Sequence, residues 1–250
     1  MTYLSADMVA SVLILFCRIG ACLMLAPGFS SPRLPARPRL YIALALTLAL
    51  TPQLTGGKPF PIHNLGGLTA DIFGELFIGG VIGLLGRYFF LALETMMMAA
   101  SMSIGLSNAL GAPIDETEVQ PPIASLITLT AVCLIFVSDL HWEFLRGVVA
   151  SYNIMPVGFA LRPQAALTLV ADDLARTFVI GLRIASPFIV FSVIVNLAIG
   201  LVNRLTPQIP IFFISAPFVI AGGLIRFYFV SGSMVTVFMA EFADWAVKGN

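Results

Sequence analysis

The chain is poor in charged residues, which sets limits on its class before any motif is considered. Only 10% of its 250 residues are Asp, Glu, Lys or Arg, whereas soluble domains carry about 25%. Acidic and basic residues balance at 13 each, so the chain has no basic excess with which to bind nucleic acid. These shortages exclude a soluble fold and argue against a nucleic-acid-binding protein.

Histidine, cysteine and catalytic motifs are also scarce. The two histidines, His63 and His141, offer little material for a metal or proton site. The three cysteines form neither a metal-binding spacing nor an even disulfide framework, so we expect them to pack as apolar side chains. The chain has no phosphate-binding loop and no His-Glu-x-x-His zinc helix. We therefore expect no enzyme activity, no cofactor and no resident metal.

Apolar sequence dominates what is present. Hydrophobic residues make up 59% of the chain, and the mean hydropathy is +0.99. Apolar blocks lie near 8–26, 40–55, 72–93, 95–110, 122–138, 178–203 and 205–240. The third and fourth blocks abut without a turn signal, so they form either two helices or one long kinked helix. Because a membrane helix needs about 20 apolar residues, the pattern predicts an all-α, multi-pass integral membrane protein. We expect a single membrane domain with about six apolar helical segments.

Two long charge-free runs meet at one sharp turn. Residues 184–203 and 205–225 contain no charged side chain, and each run is long enough to cross a hydrocarbon core of about 30 Å as a helix. Only Arg204 separates them, and Pro207 and Pro210 follow closely, where a helix cannot continue. The sequence therefore predicts a tight hairpin of two membrane helices.

Several ionisable residues interrupt the apolar blocks. They are Arg18, Arg87, Glu94, Arg183 and Arg226. A charge at the centre of a bilayer costs roughly 2.5–3.5 kcal/mol on insertion scales, so such a residue normally has a partner or faces water. Ion pairing between helices or subunits is the commoner explanation, and a water-filled path is the functional alternative.

Small and polar residues mark two further helix faces. Gly79 and Gly83 have the small-xxx-small spacing that lets another helix approach closely. Asn196, Gly200 and Asn203 share one face at spacings of four and three residues. We expect the asparagines to form interhelix hydrogen bonds rather than to bind a ligand.

Two other classes of protein compete with a structural or pore-forming subunit. A small secondary transporter would use Arg183, Asn196 and Asn203 as a midplane polar site on broken helices. Such a transporter should show paired repeats, which we do not find, and should function as a monomer or homodimer. A membrane-embedded enzyme would need a polar catalytic cluster on one face.

Four segments, in order along the chain, resemble one known family. They are Phe16-Cys-Arg18 followed by Ala26-Pro-Gly-Phe-Ser-Ser-Pro-Arg33, then Ser103-Ile-Gly-Leu-Ser107, then His141-Trp-Glu-Phe-Leu145 followed by Pro156-Val-Gly158, and finally Asn196-Leu-Ala-Ile-Gly-Leu-Val-Asn-Arg-Leu-Thr-Pro-Gln208. Together these segments resemble the FliR family, which supplies an export-gate subunit of flagellar type III secretion and has counterparts in injectisomes. The resemblance extends from about residue 8 to 240.

The resemblance implies a fold, a function and a set of partners. The fold would be a FliP-like part, about residues 1–175, followed by a FliQ-like helical hairpin, about residues 176–250. The subunit would form with FliP and FliQ a gated pore for unfolded flagellar export substrates, with FlhB as a further partner and membrane lipid around it. It would lie in the cell inner membrane at the bacterial flagellum basal body.

The resemblance also implies a loop that plugs the closed pore. The matching residues run from about Gly105 to Pro121 and include Gly111, Pro113, Asp115, Glu116 and Glu118. Met102 precedes this loop and is a candidate for a constriction, although ordinary helix packing is the better single explanation for a methionine here. The remaining candidate residues are expected at interhelix or intersubunit contacts: Arg18, Arg87, Glu94, Arg183, Asn196, Gly200, Asn203, Arg204 and Arg226.

Overall fold

The computed structural model describes residues 6–30, 35–56, 58–60, 65–105, 121–158 and 163–248. All regular secondary structure within these residues is helical. Seven helices follow one another: α1 (Ala6–Leu25), α2 (Ala36–Thr55), α3 (Leu65–Ser103), α4 (Pro122–Val137), α5 (Leu140–Ile154), α6 (Pro163–Leu205) and α7 (Ile211–Lys248).

Proline and glycine determine where several of these helices begin and end. Helix α2 is followed by Gly56, whose φ of 58° lies in the left-handed region that terminates helices at little steric cost for glycine. Helix α4 begins directly after Pro121 with Pro122 in its first turn, where the missing N–H of proline has no helical partner to lose. A turn of five residues, 206–210, joins α6 to α7. Well away from this turn, the ring centroids of Phe188 on α6 and Phe227 on α7 lie 6.4 Å apart. The two helices therefore run back along one another.

The third apolar block and the first part of the fourth belong to one helix. Helix α3 has 39 residues and runs from Leu65 to Ser103, without a break between the two blocks. Helix α6 is similarly long, with 43 residues. At a rise of 1.5 Å per residue these helices are about 60 Å long, roughly twice the thickness of a hydrocarbon core. Each is much longer than one membrane crossing requires.

Four helical segments of the described chain are long and apolar enough to cross a membrane. They are Ala6–Leu25, Gly66–Ser103, Ala166–Leu205 and Phe213–Val247. The broken pair Ile123–Val137 and Leu140–Ile154 would add a fifth if it forms one span. The architecture is therefore that of an all-helical membrane protein.

The chain divides into two compact units. The first comprises Met1–Tyr88, Asp139–Leu174 and Ala246–Asn250, and the second comprises Phe89–Ser138 and Ala175–Trp245. Each unit is thus assembled from segments that are distant in the sequence.

Helix α1 supplies much of the core of the first unit. It packs against α2, and its buried apolar side chains include Ile14, Leu15, Ile19 and Leu23. Cys17 and Cys22 are also buried on this helix, as expected of cysteines that pack as apolar residues, whereas Cys133 on α4 is exposed. All three thiols are free.

Aromatic rings form the core of the second unit. The ring centroids of Phe89 on α3 and Phe242 on α7 lie 5.7 Å apart, and those of Phe90 and Phe238 lie 5.2 Å apart. Trp245 extends this cluster, with its ring centroid 5.2 Å from that of Phe89. The first two pairs are edge-to-face, and pairs of that kind add about 0.5–1.5 kcal/mol each beyond the burial of their area. The cluster holds α3 and α7 together in antiparallel orientation.

Candidate functional site

Arg18 is fully buried and lies at the centre of a polar network in the first unit. Its Nε donates to Oε2 of Glu75 at 2.5 Å, and its Nη2 donates to Oε1 of Glu75 at 2.7 Å. The other contacts are from Nη1 to Oγ of Ser151 at 3.1 Å and from Nη2 to the carbonyl oxygen of Met155 at 2.8 Å. The guanidinium carbon also lies 4.0 Å from the ring centroid of Tyr152. One side chain of α1 is thereby tied to α3 and to the end of α5.

Two glycines bring Glu75 within reach of Arg18. Gly79 and Gly83 follow Glu75 at intervals of four residues, so the three residues share one face of α3. A Cβ atom at Gly79 would collide with the carbonyl oxygen of Arg18, and one at Gly83 would lie 2.5 Å from the carbonyl oxygen of Cys22. The backbones of α1 and α3 therefore approach too closely for any larger residue, as the small-xxx-small spacing predicts.

This geometry fits ion pairing between helices better than a water-filled path. Glu75 is 2% exposed and Arg18 is 0% exposed, and the carboxylate accepts a bidentate pair of hydrogen bonds. Such bidentate pairs fix orientation as well as charge. Sequence reasoning identified Arg18 but missed Glu75, although its position four residues before Gly79 was the available signal.

A second group of charges lies between α6 and α7 in the second unit. Nη2 of Arg176 lies 3.1 Å from Oδ2 of Asp244 and 3.6 Å from Oε2 of Glu241. Nη1 of Arg183 lies 3.7 Å from Oε1 of Glu241, and the Arg183 side chain is 66% exposed. These pairs are partly solvated, so each contributes little stability by itself.

The structure does not bring together the residues expected of a midplane transport site. Arg183 approaches Glu241, whereas Nδ2 of Asn196 donates to Oγ of Ser192 at 3.0 Å. Arg183, Asn196 and Asn203 lie on the continuous helix α6, where 13 residues correspond to about 20 Å. Asn203 is half-buried another two turns along. The described residues thus contain no convergent site built from these three side chains.

The hairpin of α6 and α7 leaves a large apolar surface uncovered. Leu197 is 64% exposed and Leu201 is 56% exposed on α6, and Phe213 is 83% exposed and Phe218 is 74% exposed on α7. Asn196 and Arg204 are exposed on the same hairpin. A Cβ atom at Gly200 would meet nothing within 4 Å. None of the described residues of this chain covers this apolar helical face.

The described structure includes only the two ends of the expected plug. Gly105 has a φ of 75°, and a Cβ atom there would lie 3.8 Å from Cγ1 of Ile220 on α7. Pro121 is buried immediately before α4. Gly111, Pro113, Asp115, Glu116 and Glu118 lie outside the described residues.

The remaining candidate residues lie on α3 and α7. Met102 is 57% exposed in the last turn of α3, and Arg87 and Glu94 are half-buried on the same helix. Arg226 is half-buried on α7. Among the residues described, no group of three or more His, Cys, Asp or Glu side chains could hold a metal ion.

Comparison with known proteins identifies the family of this chain. The model of the family "Bacterial export proteins, family 1" matches residues 9–245. Flagellar biosynthetic protein FliR of Caulobacter vibrioides is 36% identical over 84% of each chain. The FliR protein of Escherichia coli is 26% identical over 83% of this chain and 78% of its own. Secretion system apparatus protein SsaT of Salmonella typhimurium is 28% identical over 58% of this chain and 57% of its own. The chain therefore belongs to family 1 of the bacterial export proteins, the FliR family.

Proposed function

We propose that this chain is a subunit of the flagellar type III protein export gate, in which it forms with FliP and FliQ a gated pore for unfolded export substrates. Its relatives are named as flagellar biosynthetic and secretion apparatus proteins, which supports a role as a component of a type III secretion export apparatus. Its family is one of export proteins rather than enzymes. The finer assignment to a pore built with these partners is the proposal.

The proposal rests on the exposed apolar surface of the hairpin formed by α6 and α7. On this face the side chain of Leu197 on α6 is 64% exposed and that of Phe213 on α7 is 83% exposed. Gly200 lies on the same face of α6 as Leu197, and nothing lies within 4 Å of the position that a Cβ atom would take there. Small and amide-bearing residues favour close contact between helices within a membrane. Helices of neighbouring subunits therefore fit this face better than lipid alone.

The proposal assigns different roles to the two parts of the chain. Residues 1–175 form the FliP-like part, and residues 176–250 form the FliQ-like hairpin that packs beside neighbouring subunits. FlhB joins the assembly at its cytoplasmic entrance. The complex lies in the cell inner membrane at the flagellum basal body, and the long apolar helices among the described residues support a location in a membrane.

The segment between Gly105 and Pro121 is proposed to plug the closed pore. Support comes from its two ends, because Gly105 adopts a left-handed backbone conformation beside Ile220 and Pro121 is buried at the start of α4. The exposed Met102 stands next to this segment as part of the constriction. The pore itself is a passive conduit, and other components of the apparatus supply the energy.

Photo-crosslinking tests whether neighbouring subunits cover the hairpin. A benzophenone amino acid placed at Leu197, in the full chain expressed with its own FliP and FliQ, should give adducts with one of these subunits. A matched control at Leu15, which is 0% exposed within the first unit, should give no adduct with another chain. If Leu197, Leu201 and Phe218 all give adducts with lipid alone, the hairpin is not a subunit contact and the proposal fails.

A further inference from the structure

Helix α2 turns small side chains inward and large apolar side chains outward. It packs against α1, and its buried residues are Ala43, Thr47 and Thr51. The hydroxyls on this buried face are satisfied within the helix, because Oγ1 of Thr47 donates to the carbonyl oxygen of Ala43 and Oγ1 of Thr51 to that of Thr47, each at 2.7 Å. The inward face of α2 is therefore complete without any further partner.

The outward face of α2 carries one exposed stripe. Its members are Arg37, Tyr41, Leu44 and Leu48, whose spacings of four, three and four residues place them on one side of the helix. Tyr41 is 67% exposed, Leu44 is 42% exposed and Leu48 is 55% exposed, and Arg37 is exposed as well. A contiguous apolar surface of this kind marks contact with a membrane or another chain.

The order of side chains along the stripe matches the layers of a lipid leaflet. Tyr41 lies about 6 Å from Arg37 along the helix axis, Leu44 about 10 Å and Leu48 about 16 Å. The headgroup layer of a bilayer is about 5–7 Å thick on each side of the hydrocarbon core. With Arg37 at the lipid surface, Tyr41 falls at the boundary where tyrosine is enriched, and both leucines lie in hydrocarbon.

The charge around the head of the stripe complements an acidic lipid. Residues 8–70 contain no Asp or Glu, so the sequence near α2 brings positive charge alone. Arg18 is neutralised by Glu75, and Arg39 is half-buried and takes part in another interaction. Arg37 is left exposed beside the apolar stripe, where basic residues attract anionic headgroups.

We propose that the stripe from Arg37 to Leu48 is a binding surface for an acidic phospholipid. The guanidinium of Arg37 holds the headgroup phosphate in a charge-assisted hydrogen bond, and the acyl chains lie along Tyr41, Leu44 and Leu48. Helix α2 is not among the segments apolar enough to span a membrane, and this surface needs only one leaflet. The proposal goes beyond the export-gate role, because it requires only that the chain lies in a membrane.

Fluorescence quenching by brominated lipids tests the contact at the stripe itself. A bimane label is placed on Leu44→Cys in a Cys133→Ser background, since Cys133 is exposed whereas Cys17 and Cys22 are buried. The full chain, assembled with cysteine-free FliP and FliQ of its own organism, is reconstituted into vesicles of phosphatidylcholine and phosphatidylglycerol. Each lipid is brominated in turn, and we expect quenching by both and stronger quenching by phosphatidylglycerol. Absence of quenching by either lipid would place a protein partner on the stripe and overturn the proposal.

Charge variants test the acidic headgroup. Arg37→Gln should lower the preference for phosphatidylglycerol over phosphatidylcholine about 5-fold, which corresponds to about 1 kcal/mol for one basic residue at a charged lipid surface. Arg37→Lys should retain most of the preference, and high salt should reduce it by screening. Arg146 on α5, whose side chain is 74% exposed, supplies the matched control, and Arg146→Gln should change nothing. Equal quenching by the two lipids, no effect of Arg37→Gln, or an equal effect of Arg146→Gln would overturn the assignment.

Labels at the two ends of the stripe test its orientation in the leaflet. A label at position 48 should lie about 10 Å deeper than one at position 41, because seven residues separate them along the helix. Lipids brominated at different acyl-chain positions measure this difference, and equal or reversed depths would contradict the proposed orientation. Failure of the chain to assemble with FliP and FliQ contradicts the proposed function, whereas an assembled complex with an unquenched label contradicts this proposal alone.

Discussion

Glu75→Gln removes one charge from the buried Arg18 network while it keeps nearly the same shape. The guanidinium then stays enclosed at 0% exposure, and its acceptors are the one amide oxygen that remains at position 75, Ser151 and the Met155 carbonyl. None of these acceptors carries a compensating charge. Breaking a buried pair in this way costs about 3–5 kcal/mol because an unpaired charge remains inside. We expect the free energy of unfolding to fall by that amount, measured by denaturant titration of the chain in mild detergent.

The double variant Arg18→Met, Glu75→Gln sharpens this prediction. With both charges gone no ion is left buried, and neutral replacement of a buried pair is often close to neutral in stability. The double variant should therefore be more stable than Glu75→Gln alone. The exposed pair of Glu143 and Arg146, whose side chains are 30% and 74% exposed, supplies the control, since Glu143→Gln should cost no more than about 0.5 kcal/mol. Additive losses in the double variant, or a loss for Glu75→Gln no larger than that for Glu143→Gln, would refute this reasoning.

Two further predictions follow from the glycines of α3 and from the proposed plug. Gly79→Ala should lower the unfolding temperature, because its Cβ collides with the Arg18 carbonyl and overpacking costs about 1–3 kcal/mol. Gly80→Ala, with nothing within 4 Å of the added atom, should raise it slightly through helix propensity; the reverse order would show that the helices are not in close contact. Deletion of residues 111–121 should make the assembled complex conduct small ions, measured across planar bilayers, and an unchanged conductance would remove the plug assignment.

The helices were predictable because apolar run length and proline position act locally. The charge-free run that ends before Arg204 predicted the end of α6, which lies at Leu205. Pro207 and Pro210 lie in the turn that follows, and α7 starts directly after them at Ile211. The spacing of Gly79 and Gly83 on α3 likewise predicted a close contact with another helix. Because glycine has no side chain, any helix that packs on this face can approach the backbone of α3 closely, so the contact was predictable although the identity of its partner was not. The partner of Arg18 was not predictable in this way. Glu75 lies 57 residues away, and only the packing of α1 beside α3 brings the two together.

Arg226 on α7 illustrates a second reason why sequence alone falls short. The pattern marks Arg226 as a costly charge in an apolar run, but it does not reveal whether another residue of the chain neutralises it. The structure gives part of that answer, because Nε of Arg226 is buried and has no hydrogen-bond partner among the described residues. The assignments of the plug and of the two family-like parts remain predictions that rest on the resemblance to the FliR family.

The native mass of the tagged chain, co-expressed with FliP and FliQ of its own organism and extracted in mild detergent, tests the export-gate assignment most directly. A stable hetero-oligomer much heavier than 26.8 kDa, containing both partners, is the predicted result. A chain that purifies alone as a folded monomer or homodimer, and that ignores both partners, would contradict the assignment.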